Sequence, residues 1–303
     1  MPASVDEVER LLEGEQYIAD RGLAVSLFLA LSLKRPLFLE GEPGVGKTAV
    51  AQSLARAFDA ELIRLQCYEG LDLHHAVYEW NYARQILELR VLEASHALDA
   101  SRTHEASRHL FREEFLIKRP LLRALEPAPT PPVLLIDEID RADEEFEGFL
   151  LEFLADFQVT IPELGTLRAT EPPVVVLTSN RTREVHDALK RRCLYCWIDY
   201  PDLDKECRIV RARAPHVPAR LAEEATAFVQ ELRTLDLYRA AGVSETLDWV
   251  AALDALAQRE LGPQVIDQTL GVLLKHQDDI AQVRGERAAS LLARARTRGT
   301  SRA

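Results

Sequence analysis

The stretch PLFLEGEPGVGKT, Pro36–Thr48, decides the fold. The apolar run Leu37–Leu39 leads into a glycine-rich loop, and a helical pattern resumes at Ala49–Phe58. The loop satisfies G-x-x-x-x-G-K-[ST] in the order strand, loop, helix that a phosphate-binding loop requires. Glycines let backbone N–H groups converge on phosphate oxygens, and the helix N-terminus adds partial positive charge. We therefore predict a nucleoside triphosphate site formed by Gly41, Glu42, Pro43, Gly44, Val45, Gly46, Lys47 and Thr48.

Two adjacent acids complete the predicted site. The apolar run Val133–Ile136 is typical of a strand buried on both faces, and Asp137 and Glu138 follow it directly. Open α/β sheets bind ligands at this end of their strands. We expect Lys47 to neutralise the β and γ phosphates, and Thr48 and Asp137 to hold Mg²⁺. Glu138 is the candidate general base for the attacking water. The alternative is a solvated helix start, because an acidic run continues to Glu145.

The alternation of buried strands with helices predicts an α/β fold with a parallel sheet flanked by helices. The α/β domain is expected to span residues 1–201, with a helical insertion at about 83–125 and a hairpin at about 158–168. Residues 202–303 show helical patterns and no convincing strand. They predict a smaller, all-helical C-terminal domain.

Composition narrows the classes of partner. Asp and Glu total 49 against 37 Lys and Arg, a formal charge of -12 that would repel nucleic acid phosphates. A protein partner fits this charge better. The first residues show no secretory signal, and the longest apolar run, Leu23–Leu33, is too short to cross a bilayer. We expect a cytoplasmic protein without stable membrane insertion.

Cys193 and Cys196 form a C-x-x-C pair, the spacing used by metal and redox sites. The segment Cys193–Ile198 reads as a strand, on which positions three apart point to opposite faces. A structural role is therefore favoured over a metal or redox role.

With these motifs in place, the sequence resembles the AAA+ ATPases, and within them the MoxR branch. Ser179-Asn180 follows the apolar run Val174–Thr178 and matches the family's sensor-1 position, which makes Asn180 the candidate that orients water near the γ-phosphate. Phe149–Leu167 is similar to the MoxR pattern of a helix followed by a short hairpin. Asp187–Arg192 looks like the arginine-finger region, where Arg191 and Arg192 are both candidates.

The resemblance implies a P-loop AAA+ fold with a helical lid, use of ATP with Mg²⁺, and a hexameric ring. In such a ring the finger reaches the site of a neighbouring subunit. The chain departs from the family at Gly242-Val243-Ser244, where many MoxR proteins continue with a sensor-2 arginine and this chain has Glu245. The missing arginine leaves two alternatives. Either another residue of the lid contacts the nucleotide, or motion of the lid is coupled more weakly to ATP hydrolysis in this chain than in its relatives.

Finer details resemble the CoxD-type subgroup, notably Arg64–Gly70, Tyr78–Tyr82 and Trp197–Pro201. That subgroup is associated with maturing the metal centre of carbon monoxide dehydrogenase and related molybdenum hydroxylases, beside a von Willebrand A-type partner. The resemblance thus implies a chaperone acting on a client metalloenzyme. The alternative is a scaffold or switch that binds ATP and recruits the von Willebrand A-type partner without repeated remodelling.

Overall fold

The computed structural model describes residues 2–94 and 109–300. Within these ranges the chain forms two compact units, each with its own apolar core. Of the described residues, 25–39, 54–94 and 109–196 form the first unit, and 2–24, 40–53 and 197–300 form the second.

A five-stranded sheet lies mostly in the first unit. Residues 40–41 and 197–198, at the ends of two of its strands, belong to the second unit. The strands of the sheet are β1 (Leu37–Gly41), β2 (Leu62–Gln66), β5 (Val133–Asp137), β8 (Val174–Ser179) and β9 (Leu194–Ile198), in the order β2-β5-β8-β1-β9. β5 pairs in parallel with both β2 and β8. Every residue of β5 is buried, because neighbours cover both faces of a parallel strand. The predicted parallel α/β sheet is confirmed.

Two small two-stranded sheets extend the first unit. β3 (Tyr78–Trp80) pairs antiparallel with β4 (Leu116–Lys118), and β6 (Gln158–Ile161) pairs antiparallel with β7 (Gly165–Arg168). The second pair is the hairpin expected at about 158–168.

Helices surround these strands. Up to residue 192 they are α1 (Val5–Gly14), α2 (Arg21–Leu33), α3 (Lys47–Ala57), α4 (Leu73–Ala76), α5 (Tyr82–Ala94), α6 (Pro120–Arg123), α7 (Glu144–Asp156) and α8 (Asp187–Arg192), with short 3-10 turns at Glu113–Phe115 and Ile139–Arg141.

The segment expected to be helical through residue 125 is helical only in part. α5 forms as expected, but β4 lies where a helix was expected. Three residues are too few for periodicity to reveal a strand, and β4 is fixed by its pairing with β3. The polar centre of this insertion, 95–107, lies outside the described residues.

From residue 199 onward the described chain contains helices and no strand. They are α9 (Leu203–Arg213), α10 (Ala219–Leu232), α11 (Val243–Ala255), α12 (Pro263–Leu273), α13 (Gln277–Val283) and α14 (Glu286–Thr300). The fully buried Trp249 stacks at a tilt against Phe228, with ring centroids 5.4 Å apart, and donates its indole N–H to Thr269 at 2.8 Å. The polar tip of this large apolar side chain is thus satisfied inside the helical core.

A buried ion pair links three of these helices. The Glu206 carboxylate, fully buried on α9, accepts from both terminal nitrogens of Arg233 at 2.6 and 2.7 Å. It also accepts from the Thr246 hydroxyl on α11 at 2.7 Å. Because both carboxylate oxygens are engaged, the desolvation cost of the charge is offset. Among the residues that the structure describes, no helix is both long and apolar enough to span a bilayer.

Candidate nucleotide site

The glycine-rich loop folds back on itself. Gly44 and Gly46 have φ angles of 78° and 95°, in the left-handed region that other residues rarely adopt. The Lys47 ammonium donates to the carbonyls of Gly41 and Glu42, both at 2.7 Å. Lys47 is buried, although its side chain carries charge. The loop therefore forms a concave backbone turn around a lysine, at the N-terminus of α3.

Gly41 is required by a close approach of two backbone segments. A Cβ at this position would lie 2.1 Å from the carbonyl oxygen of Ile198, which is shorter than real Cβ contacts allow. The last residue of β9 therefore leaves room only for glycine at the start of the loop.

The loop also contacts the N-terminus of α11 within the second unit. The backbone N–H of Ser244 donates to the Gly44 carbonyl at 3.2 Å, and a Cβ at Gly242 would lie 2.8 Å from Gly44 Cα. The Glu245 carboxylate accepts from the Gly242 N–H at 2.9 Å. One of its oxygens would lie 2.8 Å from a Cβ at Gly44. Glu245 therefore places an acid beside the loop, at the position where the resemblance implies a cation.

The cation nearest to this acid in sequence is Arg239. Its guanidinium lies 3.8 Å from Glu245 Oε1, and half of its side chain is exposed. The structure thus places a cation next to Glu245 that the motif did not reveal, because Arg239 precedes the Gly-x-Ser turn instead of following it.

A cleft lies beside the loop in the second unit. Gly44–Gly46 form one wall, and Tyr17 and Ile18 contribute apolar surface. Ile209 and Leu247 add apolar side chains from α9 and α11. Apolar walls with a few polar groups suit a planar heterocycle, and the phosphate loop at one side suits the phosphates of a nucleotide.

Asp137 lies at the end of β5, held from two sides. The Thr178 hydroxyl of β8 donates to one carboxylate oxygen at 2.6 Å. The Arg64 guanidinium of β2 donates to the other oxygen through Nε at 3.0 Å. The parallel registers of β2, β5 and β8 bring these three side chains to one region of the sheet.

Glu138 has an unusual backbone. Its φ and ψ are 56° and 50°, left-handed values that cost a non-glycine residue energy. Its N–H donates to the Thr178 hydroxyl at 2.9 Å. The carboxylate accepts from Gln66 Nε2 at 3.1 Å and pairs with Arg141 at 3.0 Å. One threonine thus supports both acids, and the left-handed turn aims Glu138 away from the strand direction.

The loop after β8 is anchored by a buried acid. Asp140 accepts from the backbone N–H groups of Asn180 and Thr182 at 3.2 and 2.9 Å, and from the Thr182 hydroxyl at 2.7 Å. Asn180 is therefore placed close to the segment that follows Asp137. Neither Thr178 nor Asp140 was identified from the sequence. Thr178 could have been noticed as a hydroxyl near the end of an otherwise apolar strand. Asp140 could not be distinguished from the other acids of the run in which it lies.

The finger candidates lie at the C-terminus of α8. Arg191 and Arg192 are both exposed. The guanidinium of Arg35, just before β1, donates to the backbone carbonyls of Arg191 at 2.8 Å and Arg192 at 3.3 Å. It also reaches the Cys193 carbonyl at 3.4 Å. A cation thus satisfies the helix-end carbonyls and the negative end of the helix dipole.

Cys193 immediately precedes β9, and Cys196 lies on that strand. None of the four cysteines, all within the described ranges, forms a disulfide, and within those ranges no group of three or more His, Cys, Asp or Glu side chains could hold a metal ion. Burial raises the pKa of the Cys193 thiol to about 12. A thiol with such a pKa is a poor nucleophile and metal ligand at neutral pH.

The predicted site residues thus fall into two groups. The loop residues Gly41–Thr48 lie in the second unit, whereas Asp137, Glu138, Asn180 and the two arginines lie in the first. Each group is assembled within its own unit. Thr48 in one group and Asp137 in the other carry the hydroxyl and carboxylate oxygens that a hard cation such as Mg²⁺ prefers. Gly44 and Gly46 adopt the left-handed backbone that lets neighbouring N–H groups converge on an anion.

Comparison with known proteins shows which proteins the chain is similar to. The family model of the AAA domain, dynein-related subfamily, matches residues 36–193, more than half of the chain. An uncharacterised protein of Staphylococcus haemolyticus is 24% identical over 228 residues, 73% of this chain and 77% of that protein. The gas vesicle ATPase GvpN1 of Halobacterium salinarum is 26% identical over 214 residues, 67% of this chain and 58% of that protein. The RuvB Holliday junction branch migration motor of Thermotoga maritima aligns with 90% of this chain and 72% of its own chain, at 16% identity and a TM-score of 0.45.

Proposed function

The chain belongs to the dynein-related subfamily of AAA domains, and from that premise we propose that it is a ring-forming chaperone of the MoxR type. As a member of this family it is an ATPase that binds ATP with Mg²⁺. The proposal concerns what the hydrolysis is used for: to remodel or mature a client protein.

The proposed roles follow from the chemistry of each group. The backbone of Gly41–Gly46 and the Lys47 ammonium bind the β and γ phosphates, and Thr48 and Asp137 hold Mg²⁺, which neutralises phosphate charge. Glu138 takes the proton of the attacking water, and Asn180 orients that water. Arg191 or Arg192 of a neighbouring subunit stabilises the charge that develops on the transferred phosphoryl group.

One observation carries the motor-like interpretation. The phosphate loop and the helical lid are in direct contact, because the Ser244 N–H donates to the Gly44 carbonyl. The Glu245 carboxylate lies against the same glycine. A triphosphate entering this loop meets the lid acid and displaces the end of α11. Nucleotide binding and release are thereby linked to movement of α11, which is what a remodelling machine needs.

For the client we propose a metalloenzyme of the molybdenum hydroxylase class, with a von Willebrand A-type protein as partner and six subunits in the ring. The support is the CoxD-like detail of the sequence and the formal charge of -12, which favours a protein over nucleic acid. The proposed compartment is the cytoplasm.

The test is Glu138→Gln, assayed by maturation of a carbon monoxide dehydrogenase-type molybdenum hydroxylase in a reconstituted mixture. The variant keeps the size and the N–H contact of Glu138 but removes the proton acceptor. We expect ATP binding to persist, turnover to fall at least about a hundredfold, and maturation to stop. Glu144→Gln is the matched control, because Glu144 is exposed in the same acidic run.

Two outcomes separate the candidate functions. Loss of maturation with retained ATP binding supports the remodelling chaperone. Full maturation by the Glu138→Gln protein in the absence of turnover would instead establish the ATP-binding scaffold that recruits a von Willebrand A-type partner.

A further inference from the structure

Arg64 contacts the acid that is expected to hold the metal. Its side chain is 52% exposed, whereas that of Asp137 is 3% exposed. Nε and Nη2 of Arg64 lie 3.0 and 2.5 Å from the same Asp137 oxygen. We propose that Arg64 is a resident counter-ion of Asp137 that competes with Mg²⁺ for this carboxylate. It thereby sets the Mg²⁺ concentration at which nucleotide is bound.

The burial of Asp137 is the first step of the argument. A carboxylate removed from water needs a cation or several donors to remain charged at acceptable cost. Thr178 supplies a donor to Oδ1, and Arg64 supplies the forked cation at Oδ2. A divalent cation at the same carboxylate places a second positive charge beside the guanidinium, and like charges this close repel. Metal loading therefore weakens the contact of Arg64, and the contact of Arg64 weakens metal loading.

The surroundings of Arg64 show how it can withdraw. Its Nη2 also lies 2.5 Å from Gln66 Oε1, on the same strand two residues later. Gln66 faces the catalytic acids, since its Nε2 donates to Glu138. Because the outer end of Arg64 is exposed, the guanidinium can leave Asp137 and keep a partner in Gln66 or in water. Mg²⁺ can therefore displace the Arg64 guanidinium at low energetic cost, without unfolding β2.

The inference rests on the proposed role of Asp137 as a Mg²⁺ partner, and binding tests it without hydrolysis. The experiment titrates Mg²⁺ into the full chain with a fluorescent, non-hydrolysable ATP analogue and compares Arg64→Gln with the natural sequence. We expect the half-saturating Mg²⁺ concentration to fall about tenfold, the equivalent of losing one charge-assisted contact. Binding of the analogue in excess EDTA is expected to stay unchanged.

Matched variants complete the test. Arg123→Gln removes an arginine of the same unit that pairs with Glu61, an exposed ion pair away from Asp137, and is expected to leave the Mg²⁺ dependence unchanged. Arg64→Lys keeps one charge but loses the fork, and its half-saturating concentration is expected to fall about threefold. If Arg64→Gln does not fold, as judged by circular dichroism, the Mg²⁺ dependence of Arg64→Lys tests whether Arg64 competes with the metal.

An unchanged or higher half-saturating Mg²⁺ concentration in the Arg64 variants overturns the inference. It would mean that Arg64 positions Asp137 for the metal instead of competing with it. Failure of the natural chain and of every variant to bind the analogue at any Mg²⁺ concentration is a different result, because it overturns the nucleotide site itself.

Discussion

At the scale of single residues, one hydroxyl connects the two candidate acids of the site, Asp137 and Glu138. Thr178 donates to Asp137 and accepts from the Glu138 N–H, and it is almost completely buried. Removing a buried hydroxyl leaves both partners unsatisfied, which costs more than the mean value of a hydrogen bond. Thr178 therefore contributes to stability and to the geometry of the acids at once.

Thr178→Val keeps the shape of the side chain and removes the hydroxyl. We expect the free energy of unfolding to fall by about 1–3 kcal/mol. We also expect kcat to fall about tenfold or more with a smaller change in KM for ATP, because a misplaced base slows chemistry more than binding. Urea unfolding and steady-state kinetics measure both effects. Thr160→Val is the control, since its hydroxyl bonds only to Thr166 on the exposed hairpin. A normal kcat in Thr178→Val would refute the role.

Gly41→Ala tests the close approach at the start of the loop. Because the new Cβ would meet the Ile198 carbonyl oxygen at 2.1 Å, either β9 or the loop must shift. We expect a loss of about 2 kcal/mol or more in the free energy of unfolding and weaker ATP binding. Gly148→Ala is the control, because nothing lies within 4 Å of its Cβ and helix α7 is expected to gain about 0.5–1 kcal/mol. Equal stability of the two variants would contradict the account.

The residues that sequence alone could assign are those whose spacing reflects their chemistry. Lys47 and Thr48 stand in a motif with a fixed mechanism, and Asp137 and Glu138 end a strand. Asp140 could not be assigned, because charged runs are usually solvated and only the fold buries this acid. Arg64, the partner of Asp137 on β2, could not be predicted from the sequence either, because the contact depends on the register of the two strands.

At the scale of elements, the six-residue helix α8 depends on a cation from elsewhere in the chain. So short a helix has little stability of its own. Arg35 binds the carbonyls at its end, and the Leu194 N–H donates to the Pro36 carbonyl next door at 2.8 Å. The segment before β1 thus fixes the end of the helix that carries Arg191 and Arg192.

Arg35→Ala is expected to loosen that helix end and misplace both finger candidates. We expect kcat to fall about threefold to tenfold with little change in KM for ATP, because the finger acts on the developing charge and not on ground-state binding. The free energy of unfolding should change by only about 1 kcal/mol, since Arg35 is exposed. Arg211→Ala, which breaks the exposed pair with Glu223, is the control. A proportional rise in KM with unchanged kcat would argue against a role in positioning the finger.

Element types were predictable where the pattern is long or flanked by clear turns. The buried strands at Val133–Ile136 and Val174–Thr178 and the hairpin after α7 were expected and are present. β4 was not expected, because its three residues are surrounded by helical composition and its partner β3 lies nearly forty residues earlier. Long-range pairing of this kind leaves no local signal.

At the scale of the whole molecule, the proposed finger makes oligomerisation part of catalysis. A site completed by a neighbouring subunit works only in an assembly, and head-to-tail contacts close into a ring when the rotation permits. The resemblance of Asp187–Arg192 to the arginine-finger region predicts this assembly, and the expected ring size of six is likewise only what the resemblance implies.

Light scattering of the Glu138→Gln protein with and without Mg-ATP tests the assembly. We expect a mass of about six subunits with ATP, because the nucleotide is retained and bridges neighbours through the finger. The specific activity of the natural chain should rise with protein concentration until the ring is complete. A monomer under both conditions, with activity independent of concentration, would contradict the ring. Arg191→Ala and Arg192→Ala, each tested singly, show which arginine matters.

Calorimetric titration of ATP into the folded chain, with and without Mg²⁺, beside the Lys47→Ala variant, tests whether the glycine-rich loop binds Mg-ATP. We expect Mg²⁺-dependent binding by the natural chain at close to one nucleotide per subunit, and a loss of at least about tenfold in affinity in the variant. Binding that ignores Mg²⁺ and tolerates the loss of Lys47 would contradict this expectation.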